Sequence, residues 1–280
     1  MKCNVLKIQA KSILQKSKLP ESDYCINPYI GCTHGCIYCY ARFMGRFTGH
    51  TKEKWGEYLD IKSNASELLE RKLNRMKSHK GIFFIGSVTD AYQPHEKKYK
   101  VTRQLLKLLK NYDVHIVIQT KSNLILRDTD ILSQFSQCDV GFTIITLDDM
   151  VRKIFEPRTS SIESRLDALS KLKNAGLQTY AFIGPIIPDF TDVKAVIEAV
   201  SYKVTGVMAE SLNISAGNWN DIQATIKKYR PKIQTEQYKK RVKDPNYWMI
   251  VEQEYNDLCK KYSIKNDGFF NHQKDKKKSD

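Results

Sequence analysis

Short β-branched or apolar runs alternate with longer amphipathic stretches along most of this chain, and that alternation constrains its fold more than any other feature. Most of the runs are continuously apolar, as in strands that are covered on both faces. Alternating strands and helices predict a parallel α/β sheet or an incomplete barrel. The expected strands lie near Ile26–Ile30, Ile82–Ile85, Val114–Gln119, Val140–Ile145, Thr179–Ile183 and Val204–Met208.

The amphipathic segments between and after these runs predict helices, and the alternation stops after residue 231. In folds of this kind the loops that follow the carboxyl ends of the strands carry the chemistry. Residues directly after each run are therefore the candidate site residues. The expected helices are Ala65–Ser78, Val101–Leu109, Asp130–Phe135, Ile162–Ala175, Val193–Ser201, Asn220–Lys228, Gln234–Arg241 and Asn246–Tyr262.

Charge and length indicate the class of partner and the compartment. The 280 residues carry a net charge of +15, which favours anionic partners, nucleic acid first. The apolar runs fall far short of the roughly 20 residues of a membrane span, and the N-terminus lacks a signal-peptide pattern. We therefore expect a cytoplasmic protein with no membrane partner, in which clustered cysteines are metal ligands or redox groups. Residues Gln273–Asp280 predict a solvated tail.

Three closely spaced cysteines, Cys32, Cys36 and Cys39, follow the first predicted strand in a glycine-containing loop. Thiolates are soft ligands that select iron–sulfur clusters, zinc or copper(I). Most four-iron clusters take four cysteines, whereas three thiolates hold three corners of a cubane and leave the fourth iron open to a ligand. The alternative is a closed zinc site in which His34 joins the three cysteines, although the Cys-x-His-x-Cys run is tight for a tetrahedron.

The Cys-x3-Cys-x2-Cys spacing, with an aromatic residue before the third cysteine, resembles the radical S-adenosylmethionine (SAM) superfamily. Within it, Asn27–Arg42 resembles the branch of spore photoproduct lyase and the DNA repair photolyase-like proteins, and the segment around Arg46–His50 resembles the radical SAM mobile pair subgroup. Further matches follow the predicted strands: Gly86–Pro94, Thr120–Ser122, Thr143–Asp148, Glu156–Arg158 and Gly184–Pro188.

The resemblance implies a partial (β/α)6 TIM-like barrel of the α/β class over residues 1–232, including a short N-terminal lead-in. A C-terminal helical extension with a basic tail follows over residues 233–280. Cys32, Cys36 and Cys39 would hold a [4Fe-4S] cluster whose open iron is chelated by the amino and carboxylate groups of SAM. Reductive cleavage would give methionine and a 5′-deoxyadenosyl radical that abstracts hydrogen from the substrate. The reductant would be a protein such as flavodoxin or ferredoxin.

The resemblance also implies cofactor-binding roles for side chains near the cysteines and after the second strand. Tyr38 would pack near the adenine of SAM. Ser87, Thr89 and Asp90 stand where the family holds the methionine amino group, and the carboxylate of Asp90 suits an ammonium.

Later strand ends supply the remaining implied contacts to SAM. Lys121 and Arg158 are candidates for the SAM carboxylate, since arginine makes paired, charge-assisted contacts with carboxylates. Glu156 would orient Arg158 or bind the ribose hydroxyls. Thr143 would face the cofactor from the fourth strand, and the backbone near Ile187 would pair with adenine.

The sequence departs from spore photoproduct lyase at the residue that returns a hydrogen atom to the product. That enzyme uses a cysteine at the end of its second strand, and the matching stretch here, Ser87–Asp90, has none. Cys25 and Cys138 precede their strands, so we expect both at the opposite face of the barrel. Tyr40 and Tyr92 flank the expected site and are the candidate catalytic residues that relay or donate a hydrogen atom.

The substrate class and the rival function stay open from sequence. A nucleic acid is the first expectation, beside a peptide, a partner protein or a small metabolite. The rival is a non-catalytic nucleic-acid-binding protein with a structural metal site, which needs exposed aromatic and basic residues together, as in Tyr229–Arg230, Tyr238–Arg241 and Tyr247–Trp248. A second radical SAM protein is a further expected partner.

Overall fold

Eleven strands and eleven α-helices appear in the computed structural model of residues 3–273, the part of the chain that the structure describes. The strands are β1 (Asn4–Ile8), β2 (Leu14–Lys16), β3 (Tyr24–Ile26), β4 (Tyr29–Ile30), β5 (Tyr58–Lys62), β6 (Ile82–Ile85), β7 (His115–Thr120), β8 (Gln137–Thr143), β9 (Gln178–Ile186), β10 (Gly206–Ser211) and β11 (Lys265–Phe270). The helices are α1 (Gly45–Thr48), α2 (Ala65–Leu73), α3 (Glu96–Tyr99), α4 (Val101–Leu109), α5 (Thr129–Leu132), α6 (Asp149–Phe155), α7 (Ile162–Asn174), α8 (Val193–Val200), α9 (Trp219–Tyr229), α10 (Thr235–Lys243) and α11 (Pro245–Lys261). Two 3-10 helices span Tyr40–Met44 and Asn123–Asp128.

The main sheet runs in the order β11-β10-β9-β8-β7-β6-β3-β2. Every neighbouring pair from β3 to β11 is parallel, and only β2 pairs antiparallel, with β3. Within the described range β2 and β11 remain as edges, so the sheet forms an incomplete barrel and does not close. The predicted α/β partial barrel is confirmed, and its parallel strands direct their carboxyl ends to one rim.

The first predicted strand is divided in two. The sequence predicted one strand near Ile26–Ile30, but β3 ends at Ile26 and β4 pairs antiparallel with β5 in a separate sheet of order β1-β5-β4. Pro28 lies at the break and has no N–H to continue a ladder. Asn27 turns its side chain to the loop after β6, where its Oδ1 accepts from the Val88 N–H (3.0 Å). The last strand of the small sheet, β4, therefore leads directly into the loop that carries the cysteines.

The predicted helix over Ala65–Ser78 ends early, at Leu73. His79 Nε2 donates to the Leu73 carbonyl (2.9 Å) and satisfies one of the carbonyls exposed at the helix end. The helical spacing of apolar residues continues past Leu73 because Met76, in the turns that follow the helix, still packs against the core.

The segment after residue 232 contributes a strand as well as helices. β11 pairs parallel with β10 at the edge of the main sheet and was not predicted, because its residues are mostly polar or exposed. α11 packs over this edge, with Trp248 buried and the Tyr255 hydroxyl donating to the Val207 carbonyl (2.7 Å). The division at residue 232 stays a prediction. In residues 3–273 no helix is long and apolar enough to cross a membrane. The predicted tail lies outside the described residues except for Gln273.

Candidate active site

The cysteine loop follows β4, and the first residue of the loop has to be a glycine. Gly31 has φ +83°, and a Cβ there would lie 2.6 Å from the Tyr58 carbonyl oxygen, so both conformation and space require glycine. Two tight turns follow, with the Gly35 N–H donating to the Cys32 carbonyl and the Cys39 N–H to the Cys36 carbonyl (3.2 Å each). The three cysteines therefore lie on two successive tight turns.

The three thiols are buried or partly buried and act on one another electrostatically. Burial raises the pKa of Cys32 to about 12, with smaller contributions from Asp90 and Cys39. Burial also raises the pKa of Cys36 far above its usual range, and both other thiols add to it. Metal binding at these thiols therefore releases protons and depends on pH.

The geometry does not favour the single-zinc alternative. Among residues 3–273 no group of three His, Cys, Asp or Glu side chains converges closely enough to hold one metal ion. His34, the fourth ligand of that alternative, directs its Nδ1 to Asp90 Oδ2 (3.2 Å). As they stand, Cys32, His34, Cys36 and Cys39 do not form the closed tetrahedral site of that alternative.

The loop after β6 forms hydrogen bonds with the cysteine loop. Thr89 Oγ1 donates to the Gly31 carbonyl (2.6 Å), and the Thr33 N–H donates to Gln93 Oε1 (2.8 Å). Gln93 is fully buried and also donates to Thr89 Oγ1 (3.1 Å). Sequence reasoning named Thr89 but missed Gln93, whose only signal was its place in the Gly86–Pro94 match.

Asp90 joins two strand ends to the cysteine loop. Its Oδ1 accepts from the Tyr92 N–H (2.8 Å) and Thr120 Oγ1 (2.7 Å), and its Oδ2 accepts from the Lys121 N–H (2.9 Å). Burial would raise the pKa of this carboxyl, but His34, Lys121 and Thr120 hold it well below its usual range. The carboxylate is therefore ionised, and its predicted contact with the SAM amino group stays a prediction.

Lys121 places a cation beside the thiols. Its Nζ lies 3.2 Å from Thr143 Oγ1 and 5.9 Å from the centre of the Tyr38 ring. Burial alone would lower its pKa, but Cys36, Glu156 and other acidic neighbours outweigh burial and raise it. The structure thus brings together Lys121, Thr143, Tyr38 and Cys36, which sequence reasoning assigned to one site.

A buried chain of polar groups fixes Tyr38 between the cysteines. The Tyr38 hydroxyl donates to Glu156 Oε1, and Glu156 Oε2 pairs with Arg165 Nη2 (2.5 Å). Glu156 and Arg165 are both fully buried, and Arg165 also donates to the Thr143 carbonyl (2.8 Å). Sequence reasoning paired Glu156 with Arg158 as one option, but the partner is Arg165. That residue gave no signal within the amphipathic pattern of its helix.

The guanidinium of Arg158 packs against the backbone of the cysteine loop. Its Nε donates to the Thr33 carbonyl and its Nη2 to the Gly56 carbonyl (2.9 Å). A Cβ on either Gly35 or Gly56 would collide with this guanidinium, so the two glycines form the slot that admits it. Arg158 therefore ties the cysteine loop to the segment before β5, and its predicted contact with the SAM carboxylate stays a prediction.

The remaining predicted residues occupy different surroundings. The Tyr40 hydroxyl donates to the Ser87 carbonyl, which places Tyr40 at the rim next to Cys39. Tyr92 is fully buried, where burial and the carboxylates of Asp128 and Glu96 raise its pKa. That acidic neighbourhood also contains Arg127 and belongs to the packing of α3, α4 and the second 3-10 helix.

Two further positions belong to the description of the site, the backbone of Ile187 and the side chain of Asn218. The Ile187 N–H donates to Thr191 Oγ1 (2.9 Å), and its carbonyl accepts from the Phe190 N–H (3.0 Å), so both groups are used within their own loop. Asn218, which sequence reasoning missed, is fully buried and donates through Nδ2 to the Tyr38 carbonyl (2.7 Å). Its Oδ1 is buried without a hydrogen-bond partner, an unusual state for a buried acceptor.

Comparison with known proteins decides the family. The model of the radical SAM superfamily matches residues 26–200, more than half of the chain. The chain belongs to the radical SAM superfamily. This radical SAM protein is 41% identical to an uncharacterised protein of Methanocaldococcus jannaschii over 217 residues, covering 77% of this chain and 80% of that one. It is 30% identical over 198 residues to an uncharacterised protein of Acidianus two-tailed virus, covering 67% and 64%.

Solved structures show the same fold. A spore photoproduct lyase variant with bound AdoMet and dinucleoside spore photoproduct matches with a TM-score of 0.68 at 15% identity, covering 95% of this chain and 81% of that one. Streptococcus suis SuiB bound to S-adenosylmethionine matches with a TM-score of 0.53 at 9% identity, covering 97% and 51%. These likenesses identify the incomplete sheet as the partial TIM barrel of radical SAM enzymes.

The residues present fit the cofactors of this superfamily, SAM and an iron–sulfur cluster. Three buried or partly buried thiols that influence one another electrostatically supply the soft donors that an iron–sulfur cluster needs, and the buried Asn218 Oδ1 has no hydrogen-bond partner. The non-catalytic alternative is wrong, because the chain is a radical SAM enzyme. Two aromatics on which that alternative depended, Tyr238 and Trp248, are buried in the core.

Proposed function

We propose that this enzyme cleaves SAM reductively with a [4Fe-4S] cluster bound by Cys32, Cys36 and Cys39. The single observation that carries the proposal is that these three free thiols lie in one short loop beside Lys121, whose Nζ is 5.9 Å from the centre of the Tyr38 ring. When bound and reduced, the cluster would supply the electron for cleavage of SAM to methionine and a 5′-deoxyadenosyl radical, and that radical would abstract a hydrogen atom from the substrate.

The protein's own residues position and shield this chemistry. Lys121 gives the site a positive charge that favours both the thiolates and the carboxylate of SAM. Gln93 accepts from the Thr33 N–H in the cysteine loop, and Asp90 contacts both His34 in that loop and the Lys121 N–H after β7. The Tyr38 ring, fixed by Glu156, covers one side of the loop and keeps water away.

We assign the free acceptor of Asn218 to SAM, in a site that already includes Tyr38. Replacing Asn218 with alanine removes a buried acceptor and one anchor of the Tyr38 backbone. The dissociation constant for SAM should rise about tenfold, in line with the loss of one buried hydrogen bond. Isothermal titration calorimetry on the anaerobically reconstituted protein measures this effect.

The control for that experiment is Asn111→Ala, an exposed asparagine between α4 and β7 at the other end of the barrel. It should leave the affinity for SAM unchanged. A dissociation constant for Asn218→Ala within twofold of the wild-type value contradicts the assignment of Asn218.

The charge and the free cysteines of the chain indicate which electron donor and which compartment suit this enzyme. An acidic electron-transfer protein such as flavodoxin or ferredoxin suits a chain of charge +15. A reducing, cytoplasmic location suits its free cysteines and its cluster.

We propose a nucleic acid as substrate and Tyr40, beside Cys39 at the rim, as the group that relays or donates a hydrogen atom. A second radical SAM protein stays among the proposed partners.

A further inference from the structure

Three aromatic rings line one face of the helical run that follows the cysteines. We call Tyr40, Phe43 and Phe47 the aromatic ladder. Their side chains are 41%, 38% and 76% exposed. The ring centres of Tyr40 and Phe43 are 6.4 Å apart and those of Phe43 and Phe47 are 6.3 Å apart. Residues three and four positions apart share one helix face, which explains why the rings follow one another.

The aromatic ladder begins at the reaction site. Tyr40 directly follows the cluster ligand Cys39, and its hydroxyl reaches the carbonyl of Ser87 at the end of β6. On the other side, Arg42 Nη1 donates to Asp221 Oδ2 (2.7 Å) and to the Gly217 carbonyl (3.3 Å), which connects the run to the start of α9. The ladder therefore extends outward from the cluster loop towards α9.

α10 lies next to the start of α9, because Lys239 Nζ is 5.4 Å from the centre of the Trp219 ring. The segment that includes α10 is strongly basic. Residues 227–243, which span the end of α9 and α10, contain eight lysines and arginines and a single acidic residue, Glu236. α10 lies at the rim, because the Tyr238 hydroxyl donates to the Pro188 carbonyl (3.1 Å) in the loop after β9. Arg46 adds an exposed cation within the ladder segment. A partner that covers both features needs flat apolar faces and many negative charges.

Resting on the proposed function, we infer that the aromatic ladder and the basic surface of residues 227–243 bind a single-stranded nucleic acid and direct one nucleotide to the cluster. Unpaired bases offer π-faces that stack on successive aromatic rings, while their phosphates pair with lysine and arginine. A double helix hides the faces of its bases between neighbouring pairs, so it cannot use the ladder. An acidic peptide offers the charge but lacks a regular series of flat faces.

The test uses fluorescence anisotropy with the full chain and labelled deoxythymidine and uridine oligomers of about 12 nucleotides, a common site size. The double variant Phe43→Ala/Phe47→Ala should bind both oligomers at least about tenfold more weakly than the wild type. Phe47→Trp keeps a stacking face and should retain wild-type affinity. The matched control is Tyr202→Ala, which removes an 88% exposed ring just before β10, at the other end of the barrel.

A second pair of changes tests the basic surface. Lys240→Gln/Lys243→Gln removes two exposed cations of α10. Binding should then depend less on salt, with the slope of log K against log salt reduced by about 0.7 for each phosphate that is no longer neutralised. The deoxythymidine and uridine arms show whether DNA, RNA or both are accepted.

Several outcomes overturn the inference. Wild-type affinity in the Phe43→Ala/Phe47→Ala variant does so, as does tighter binding of an equally long duplex. Polyglutamate that binds more tightly than the oligomers, and loses affinity in the same variant, would assign the surface to an acidic protein instead. Deoxyadenosine formation is measured on the same samples. Oligomer binding that depends on the ladder, without SAM cleavage in the wild type, supports the ladder and contradicts only the proposed function.

Discussion

Replacing Cys36 with alanine is expected to abolish cluster binding while the barrel still folds. In the proposed site Cys36 supplies one of three thiolates, and two would not hold a four-iron cubane against loss to solvent. Removing one buried sulfur from the core costs about 1 kcal/mol, far less than a total stability of about 5–15 kcal/mol. Iron and sulfide analysis after anaerobic reconstitution should show about four irons per wild-type chain and almost none in the variant.

Cys138→Ala is the matched control for this prediction. Cys138 is also a buried free cysteine, but it lies near the start of β8, as expected from sequence, and far from the carboxyl rim. This control should keep its full complement of iron and sulfide. A Cys36→Ala protein that retains about four irons contradicts the ligand assignment. An unfolded Cys36→Ala protein, by circular dichroism, contradicts the expectation that the barrel is independent of the cluster.

Arg165→Met is expected to give the largest loss of stability from a single substitution. Arg165 and Glu156 are both fully buried, and the change leaves the Glu156 carboxylate without its nearest cation. Breaking a buried ion pair by removing one partner costs about 3–5 kcal/mol. Chemical denaturation followed by circular dichroism measures the loss. SAM affinity should fall as well, since Glu156 positions Tyr38.

A second substitution separates charge from packing. Adding Glu156→Gln to Arg165→Met removes the uncompensated charge and should recover about half of the lost free energy or more. The exposed pair of Arg71 and Glu67 (3.5 Å) supplies the control, because Arg71→Met should change stability by less than about 1 kcal/mol. A loss for Arg165→Met as small as that of Arg71→Met contradicts the account of this buried chain.

The cysteine loop was predictable because its information is local. Three thiols at fixed short spacing, with Gly31 beside them, need no knowledge of the rest of the chain. The parallel strands were equally visible, since strands covered on both faces are apolar along their whole length. β11 was missed for the opposite reason, because an edge strand with a polar sequence such as Lys265–Phe270 shows neither continuous apolar residues nor regular alternation.

The residues that support the cysteine loop depend on long-range contacts that no spacing reveals. Arg165 resembles an ordinary charged residue of an amphipathic helix until the fold buries it against Glu156. Gln93 and Asn218 contact the loop from positions 60 and 180 residues away in sequence. The guanidinium of Arg158 contacts the backbone of the cysteine loop, which no spacing reveals, and its expected contact with SAM stays a prediction.

Anaerobic formation of 5′-deoxyadenosine tests the central claim most directly. The reconstituted protein is mixed with SAM and dithionite, and the product is measured by mass spectrometry beside the Cys32→Ala, Cys36→Ala and Cys39→Ala variants. We expect deoxyadenosine from the wild-type protein and none from any of the three variants. Deoxyadenosine that persists without one of these thiols, or a wild-type protein with an intact iron–sulfur cluster that binds SAM and forms none, would contradict it.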